Sequence, residues 1–362
     1  MTGKHGKRRL LLHLYLTVGQ DKCTLTSGDG LDTSCTSAQS DQAPTHGHEN
    51  AGTFLVCSKA LARASRAWKR LLYGGFLESK PADGTQWKVH LPGDKPEPIA
   101  TILNIIHYRF EHVPDKSSIT LQSLYEITVV ADKYDLTHML RPWCDGWVTA
   151  LALALALARK DLGKLSYDHV EQCFWISWVL GQDSLFRSTA LHIAKTSEMD
   201  SEDRLIAPST ATELQKARFS RVLEPNTNGL IKKTRSFMLR WLLQSLREFY
   251  EHPPLAVKSW MAGCTDTACI NSVVGSLVTS LVEHGLWPIP DPSTYRGSPD
   301  KLETLISKLT IHTPHKICSS MFRDFGLHSN GDHTLCMTGM ALMHLRTQRR
   351  KSGLAKTALT ED

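Results

Sequence analysis

The distribution of apolar residues along the chain predicts many helices and a few short strands. Residues 53–58, TFLVCS, form a short run that is typical of a strand, and residues 86–92, QWKVHLP, alternate apolar and polar side chains as a half-buried strand does. Elsewhere apolar residues recur three and four positions apart, the spacing of one face of a helix. The pattern therefore predicts an α+β chain whose strands lie in its first half.

The first half also contains a dense series of predicted helices. A helical pair is expected at 58–76, where Gly74 and Gly75 stop it. Further helices are predicted at 96–114, at 118–136, and from Thr137 toward Arg159. The run 148–162, VTALALALALARKDL, is too short to span a bilayer, and its Ala and Leu content favours a buried helix.

Two acidic residues follow an apolar run in the segment 127–136, ITVVADKYDL. Asp132 and Asp135 could serve acid–base chemistry or a metal ion, or they could end an amphipathic helix. We favour the helix end, because Tyr134 and Leu136 can pack inward and Lys133 suits the negative end of the helix dipole.

The second half is predicted to be helical. The segment 231–250 is the clearest case, with one apolar stripe made of Phe237, Met238, Trp241, Leu242, Leu246 and Phe249. Gly181 separates two helices within 166–196, and a polar loop around one short helix is expected near 196–229. The predicted organisation is a basic N-terminal segment 1–9, a domain 10–148 with a Ser/Thr/Gly-rich insertion at 26–52, a helical region 149–345 and a basic polar tail 346–362.

Charge and cysteine content narrow the class of protein. The net charge of +6 permits an acidic partner without requiring nucleic acid. Nine cysteines are scattered over 362 residues, which is unlike a disulfide framework and predicts reduced thiols in the cytoplasm or nucleus. The start of the chain has a basic head and a short apolar run like a signal peptide, but His13 interrupts that run and no A-x-A site follows.

One set of residues could bind a structural zinc ion. Cys264, Cys269, His315 and Cys318 supply three thiolates and one imidazole, which suffice for a tetrahedral site. They flank a predicted helix at 270–286, so a metal could join its start to a later turn. The bland alternative is that Cys269 is a small apolar residue buried on that helix.

Enzymatic chemistry finds no support in the sequence, and we expect no catalytic residues and no cofactor. The chain lacks a G-x-S-x-G elbow, an H-E-x-x-H pair and a Gly-rich phosphate loop. Basic segments occur at Lys4–Arg9, Lys232–Arg235 and Arg346–Lys351. They lack any nucleic-acid-binding signature, so direct contact with nucleic acid is not expected.

The order of elements in 53–148 resembles a BTB/POZ domain. That family opens with a pattern answered here by Phe54, Val56, Leu61, Ser65 and Trp68. YGGFLES at 73–79, the LP at 91–92 and ADKYDL at 131–136 are similar to later family motifs, while Cys57 and Arg66 stand where the family often has His and Pro. The back half looks like the helical region of uncharacterised fungal BTB proteins, and residues 10–19 could supply the first strand.

The resemblance implies a protein–protein interaction module rather than an enzyme. BTB domains self-associate or dock partners, so protein partners and a homodimer are expected, and many act as adaptors for cullin-3 ubiquitin ligases. One alternative is a nuclear transcription-associated regulator that combines BTB dimerisation with the basic segments. Another is a zinc-stabilised scaffold. A membrane partner is not expected.

Overall fold

The computed structural model describes residues 13–18, 52–82, 85–91, 93–158, 167–207, 225–251, 266–315 and 339–354. The chain divides into two units. Unit 1 comprises Met1–Leu155 with Lys351–Ala355, and unit 2 comprises Ala156–Arg350 with Lys356–Asp362. The chain passes between them inside a helix, so the domain boundary predicted at 148 falls within a single helical element.

Unit 1 contains a three-stranded sheet. Its strands are β1, His13–Val18, β2, Gly52–Cys57, and β3, Lys88–Leu91. β1 lies in the centre, antiparallel to β2 and parallel to β3. Leu16 pairs with Phe54 on one side and with Val89 on the other, and both Leu16 and Val89 are buried. The strands expected at 53–58, 86–92 and within 10–19 are therefore confirmed.

In the described residues, five α-helices accompany this sheet, and the last of them continues past Leu155 into unit 2. They are α1, Ser58–Ala64, α2, Arg66–Tyr73, α3, Pro96–Ile106, α4, Leu121–Lys133, and α5, Arg141–Ala158. Ser65 separates the first two, because its side chain accepts a hydrogen bond from the Trp68 amide and so begins α2. Thr120 and Ser123 form a reciprocal capping box at the start of α4.

The helix predicted at 96–114 ends earlier than expected. α3 stops at Ile106, Tyr108 has a positive φ of 61°, and Phe110–His112 form a short 3-10 helix. A residue in the left-handed region cannot continue a right-handed helix. The apolar pattern alone does not reveal this turn, since Tyr is not a residue typical of that conformation.

Unit 2 is mainly helical. Its elements are α6, Tyr167–Leu180, α7, Asp183–Thr196, β4, Glu198–Met199, β5, Leu205–Ile206, α8, Pro225–Glu251, α9, Thr267–Glu283, α10, Pro299–Ser307, and α11, Gly339–Ser352. Gly181 separates α6 from α7 as predicted, and a Cβ there would lie 2.4 Å from the backbone of Arg349. Glycine is therefore required by the close approach of α11.

Three predictions for the second half need correction. The region expected to be all-helical contains a two-stranded antiparallel ribbon of β4 and β5, inside the segment predicted as a polar loop. Phe237, placed in the buried stripe of α8, is exposed, because α8 buries Leu239, Leu243 and Leu246 against α9 and α10 instead. The basic tail predicted from residue 346 is helical as far as Ser352, which is itself buried.

Across the described ranges, no helix combines the length and the apolar character needed to cross a bilayer.

Candidate interaction surfaces

The acidic pair singled out in the sequence lies at a helix end, as predicted. α4 ends in a turn in which the Asp135 amide donates to the Asp132 carbonyl and the Leu136 amide donates to the Ala131 carbonyl. These two bonds define a Schellman motif, with Asp135 in its left-handed position at a φ of 51°. The Asp135 carboxylate pairs with Lys351 at 2.9 Å. Both acids therefore belong to a helix terminus on the surface.

The neighbouring residues of the same motif form a buried polar cluster. Asp94, which precedes α3, accepts hydrogen bonds from the Lys133 ammonium at 2.8 Å and from the Tyr134 hydroxyl at 2.6 Å. Burial, and then the Asp94 carboxylate, raise the pKa of Tyr134, so its hydroxyl remains a donor at neutral pH. Trp68 stacks on the Tyr134 ring at 4.7 Å, and Ser65 donates to the Tyr134 carbonyl. The cluster joins α2, α3 and α4.

The four predicted zinc ligands are only partly described. Cys264 and Cys318 lie outside the described residues. Cys269 is fully buried on α9 within an apolar cluster, whereas the exposed His315 ring lies 3.7 Å from the Asp266 carboxylate, which caps the same helix. Among the described residues, no group of three or more Cys, His, Asp or Glu side chains could hold a metal ion. The environment of Cys269 matches the alternative of a buried apolar thiol.

Two other buried thiols are in environments that make them unreactive. Cys144 and Cys173 lie in the cores of units 1 and 2 respectively. Burial raises the pKa of each to about 12, so both remain protonated thiols at neutral pH. A protonated, inaccessible thiol is neither a nucleophile nor a metal ligand.

The basic segment Lys232–Arg235 is not a free arm. Arg235 is buried, and its guanidinium donates to four backbone carbonyls, the closest being that of Gly297 at 2.6 Å. Burial lowers its pKa to about 10, which leaves it charged at neutral pH. Lys232 donates to the Asp203 carbonyl at 2.7 Å. These two cations hold turns of unit 2, and burial shields Arg235 from a phosphate backbone.

An open cleft of about 500 Å³ lies on unit 2. It is lined by Arg240, Gln244, Arg247, Glu248, Glu251, Asp291, Pro292 and Ser293. Hydrogen bonds from Ser293 lower the pKa of Asp291, so this carboxylate stays ionised rather than acting as an acid. Because side chains of both charge signs line the cleft, its charge indicates no particular class of ligand.

Exposed aromatic rings mark a different surface, on unit 1. Tyr108 and Phe110 are 79% and 50% exposed, and Trp143 on α5 is half-buried beside them. We name these three residues the aromatic surface. Their rings follow one another, with centroids 6.0 Å apart from Tyr108 to Phe110 and 5.5 Å from Phe110 to Trp143. A continuous apolar patch therefore faces solvent.

The aromatic surface rests on a fixed frame. Trp143 stacks on Trp147, which is buried and donates its indole N–H to the Pro114 carbonyl at 2.9 Å. The turn that carries Tyr108 is closed by a second Schellman motif, because the Tyr108 amide donates to the Ile105 carbonyl and the amide of the next residue to the Asn104 carbonyl. The rings are thus presented in a defined geometry before any partner arrives.

The residue before this turn ties it to the sheet. The His107 ring shares a hydrogen bond of 2.9 Å with the Leu103 carbonyl and accepts the Cys57 amide at 3.0 Å. These two bonds fit a neutral imidazole with its proton on Nδ1. Cys57 thereby connects the end of β2 to the end of α3 through its backbone.

Polar side chains border the aromatic surface. Arg109, Glu111 and His112 are exposed, and the Arg109 guanidinium lies 3.1 Å from the His112 ring. An aromatic centre with a polar rim is the composition of protein–protein interfaces rather than of catalytic sites. Comparison of the chain with protein-family models, with curated proteins and with solved structures finds no match.

Proposed function

We propose that this protein is an interaction module whose unit 1 docks other proteins, in the manner of a BTB/POZ domain. The single observation that carries the proposal is the aromatic surface formed by Tyr108, Phe110 and Trp143. Exposed Tyr and Trp rings held in a fixed frame are the side chains that dominate binding energy at interfaces.

The fold of unit 1 supports the BTB part of the proposal. Its elements follow the order strand, strand, helix pair, strand, helix, helix, helix. Three positions that carry the sequence resemblance also meet in space, since Ser65 and Trp68 both contact Tyr134. Contact between these residues gives a structural reason for the BTB/POZ motifs that contain them to occur together.

The strain at Tyr108 gives the docking role a physical argument. A non-glycine residue with a φ of 61° costs about 1–2 kcal/mol in backbone free energy. Its ring, being 79% exposed, recovers little of this cost by burial. Strain that burial does not offset is concentrated at functional positions.

The test is binding by the full-length chain with two rings removed. We expect Tyr108→Ser combined with Phe110→Ser to lose captured partners from cell extract while keeping the wild-type circular dichroism. The matched control is Val282→Ser, which removes an exposed apolar side chain from unit 2. Equal capture by wild type and by the double variant would contradict the assignment of this surface.

Cullin-3 is the specific partner that the BTB resemblance suggests. Calorimetric titration of the full-length chain with purified cullin-3 should give saturable binding that the double variant abolishes. Saturable binding that persists in the double variant assigns cullin-3 to another surface. If cullin-3 does not bind while other partners are captured through the aromatic surface, the adaptor role is wrong and the docking role stands. Self-association of the same samples is measured by sedimentation.

A further inference from the structure

The helical pair α1–α2 is basic, with five lysines and arginines and no acidic residue between Ser58 and Tyr73. Residues 53–82 contain six lysines and arginines and a single acidic residue, Glu78, which gives this segment a net charge of +5. The six cations are Lys59, Arg63, Arg66, Lys69, Arg70 and Lys80, and all are exposed. Within the described part of the chain, none of them forms an ion pair. Their charge is therefore directed at solvent.

The cations of α2 share one side of that helix. Arg66, Lys69, Arg70 and Tyr73 are three, four and seven positions apart and exposed, whereas α2 buries Trp68 and Leu72 in the core. The row extends over about 10 Å along the axis, at 1.5 Å per residue. It ends where the loop 74–79 begins.

That loop presents two apolar side chains at its tip. Leu77 is fully exposed and Phe76 is 60% exposed. Such side chains are costly to leave in water unless something covers them in the functional state. The row of cations and the apolar tip adjoin each other in one short segment, and we name them together the basic–apolar face.

The loop is ordered by its own hydrogen bonds. The Ser79 hydroxyl accepts the Gly75 and Phe76 amides, both at 3.0 Å, and donates to the Leu71 carbonyl at 3.1 Å. The Trp87 indole fixes the following turn by donating to the Glu78 carbonyl at 2.9 Å. Because the tip is already ordered, covering it requires little loss of conformational freedom.

We infer that the basic–apolar face is a second docking surface, which binds an acidic segment of a partner protein that also carries apolar side chains. Carboxylates of such a segment pair with Arg66, Lys69 and Arg70, and its apolar side chains cover Phe76 and Leu77. Charge complementarity selects this occupant. A second copy of the chain would instead bring like charges together across a two-fold axis. The inference rests on the proposed function only in taking the partner to be a protein.

The test selects random peptides, displayed on phage, for binding to the full-length chain. Selected peptides should be rich in Asp and Glu together with Leu or aromatic residues. Their affinity should fall by about tenfold or more in Arg66→Glu/Arg70→Glu and in Phe76→Ser/Leu77→Ser. It should also weaken in the wild type as salt is raised, a measurement that needs no variant.

Matched control variants reverse two charges or replace two exposed apolar side chains in unit 2. Lys308→Glu/Arg350→Glu and Val282→Ser/Met343→Ser change exposed positions of unit 2, and both should leave peptide affinity within about twofold of wild type. Tyr108→Ser/Phe110→Ser should also leave it unchanged. Because this variant changes only the aromatic surface, it shows whether a loss of peptide binding comes from the basic–apolar face or from the aromatic surface.

Several results would overturn the inference. One is a set of selected peptides without an excess of acidic residues, and another is acidic peptides that bind the charge-reversed variant as well as wild type. If no peptide is selected, the chain can be sedimented with phosphatidylserine vesicles. Sedimentation that Arg66→Glu/Arg70→Glu or Phe76→Ser/Leu77→Ser abolishes would assign the face to a membrane surface. A dimer that disappears in Phe76→Ser/Leu77→Ser would assign it to a second copy.

Discussion

Helices α3 in unit 1 and α9 in unit 2 end in the same hydrogen-bonded turn but place different residues in its left-handed position. Tyr108 occupies that position after α3 at a φ of 61°, and Gly285 occupies it after α9 at 67°. In each turn the next amide reaches back five residues, from Arg109 to Asn104 and from Leu286 to Leu281. The backbone geometry is thus shared and only the side chain differs.

The two turns differ in their backbone cost. Glycine adopts a positive φ without steric cost, so the end of α9 is the expected solution. Tyrosine pays about 1–2 kcal/mol for the same geometry and leaves its ring mostly in solvent. Tyr108 therefore combines a backbone cost with an exposed ring, whereas Gly285 has neither.

Helix α4 provides an intermediate case. It ends in the same turn with Asp135 in the left-handed position, and the buried cluster around Asp94 holds the preceding residues Lys133 and Tyr134. Aspartate tolerates that conformation better than tyrosine. Here side-chain hydrogen bonds, rather than glycine, stabilise the helix end.

The largest effect is expected where those side-chain bonds are removed. Asp94→Ala leaves the Tyr134 hydroxyl buried without its acceptor, which should lower the free energy of unfolding of unit 1 by about 2–3 kcal/mol. Lys133 is half-exposed and contributes little to that figure. Hydrogen exchange of the α4 amides in the full-length chain measures the change. Asp145→Ala, an exposed carboxylate on α5, is the control, and an equal effect there would show that the cluster is not what holds α4.

The next effect comes from placing tyrosine in the turn that glycine occupies. Gly285→Tyr should destabilise unit 2 by about 1–2 kcal/mol through backbone strain alone, because a Cβ at this position meets no described atom within 4 Å. Urea unfolding and exchange of the α9 amides report the loss. Gly275→Ala in the same helix should have the opposite sign, stabilising by about 0.5–1 kcal/mol. An unchanged stability in Gly285→Tyr would remove the strain argument for Tyr108.

Alkaline pH should distinguish the end of α4 from the other two. The pKa of Tyr134 is raised above its unfolded value of 10.0, so the stability contributed by its protonated hydroxyl is complete below pH 10 and is lost as pH rises further. The wild type should then lose about 1.4 kcal/mol per pH unit from this residue. Tyr134→Phe should lose about 1 kcal/mol at neutral pH and show a shallower decline above pH 10. Parallel pH profiles of the two proteins would contradict this assignment.

The converse substitution in unit 1 should separate stability from binding. Tyr108→Gly relieves the strained φ but removes the edge contact with Phe110, so the free energy of unfolding should rise by up to about 1 kcal/mol. Capture of partners should fall at the same time. A variant that gains stability and keeps full binding would show that the ring at Tyr108 is not needed for docking.

The smallest effect is expected at Asp135. Asp135→Gly relieves a mild strain and loses the exposed pair with Lys351, and these changes nearly cancel, to within about 0.5 kcal/mol. Urea unfolding should show no resolved shift. A loss well above 1 kcal/mol would mean that the pair with Lys351 contributes more than exposed ion pairs usually do.

Part of this architecture could be read from the chain before any coordinates. The alternation around Val89, the stop at Gly181 and the helix end at Asp132–Asp135 all follow from local patterns. The exposure of Phe237 could not be predicted from local patterns, because the face that α8 buries depends on where α9 and α10 lie. The ribbon of β4 and β5 is too short to leave a periodic signal.

The candidate surfaces divide in the same way. The six cations between Lys59 and Lys80 and the apolar pair at 76–77 are visible in the sequence, although their significance as one face needs the exposure of every member. The aromatic surface could not be predicted, because Tyr108, Phe110 and Trp143 lie in different elements. The zinc set was proposed only because three cysteines and one histidine flank a predicted helix. In the structure, Cys269 lies in an apolar core.

Local sequence patterns account for the strands β2 and β3, most of the helices, the row of cations on α1 and α2 and the helix end in ADKYDL, since these features depend on neighbours a few residues apart. Tertiary structure alone decided that Asp94 receives Lys133 and Tyr134, that β1 lies between β2 and β3, and that three distant aromatic rings form one patch. Contacts between residues far apart in the chain depend on how helices and strands pack against one another. Local periodicity carries no record of that packing.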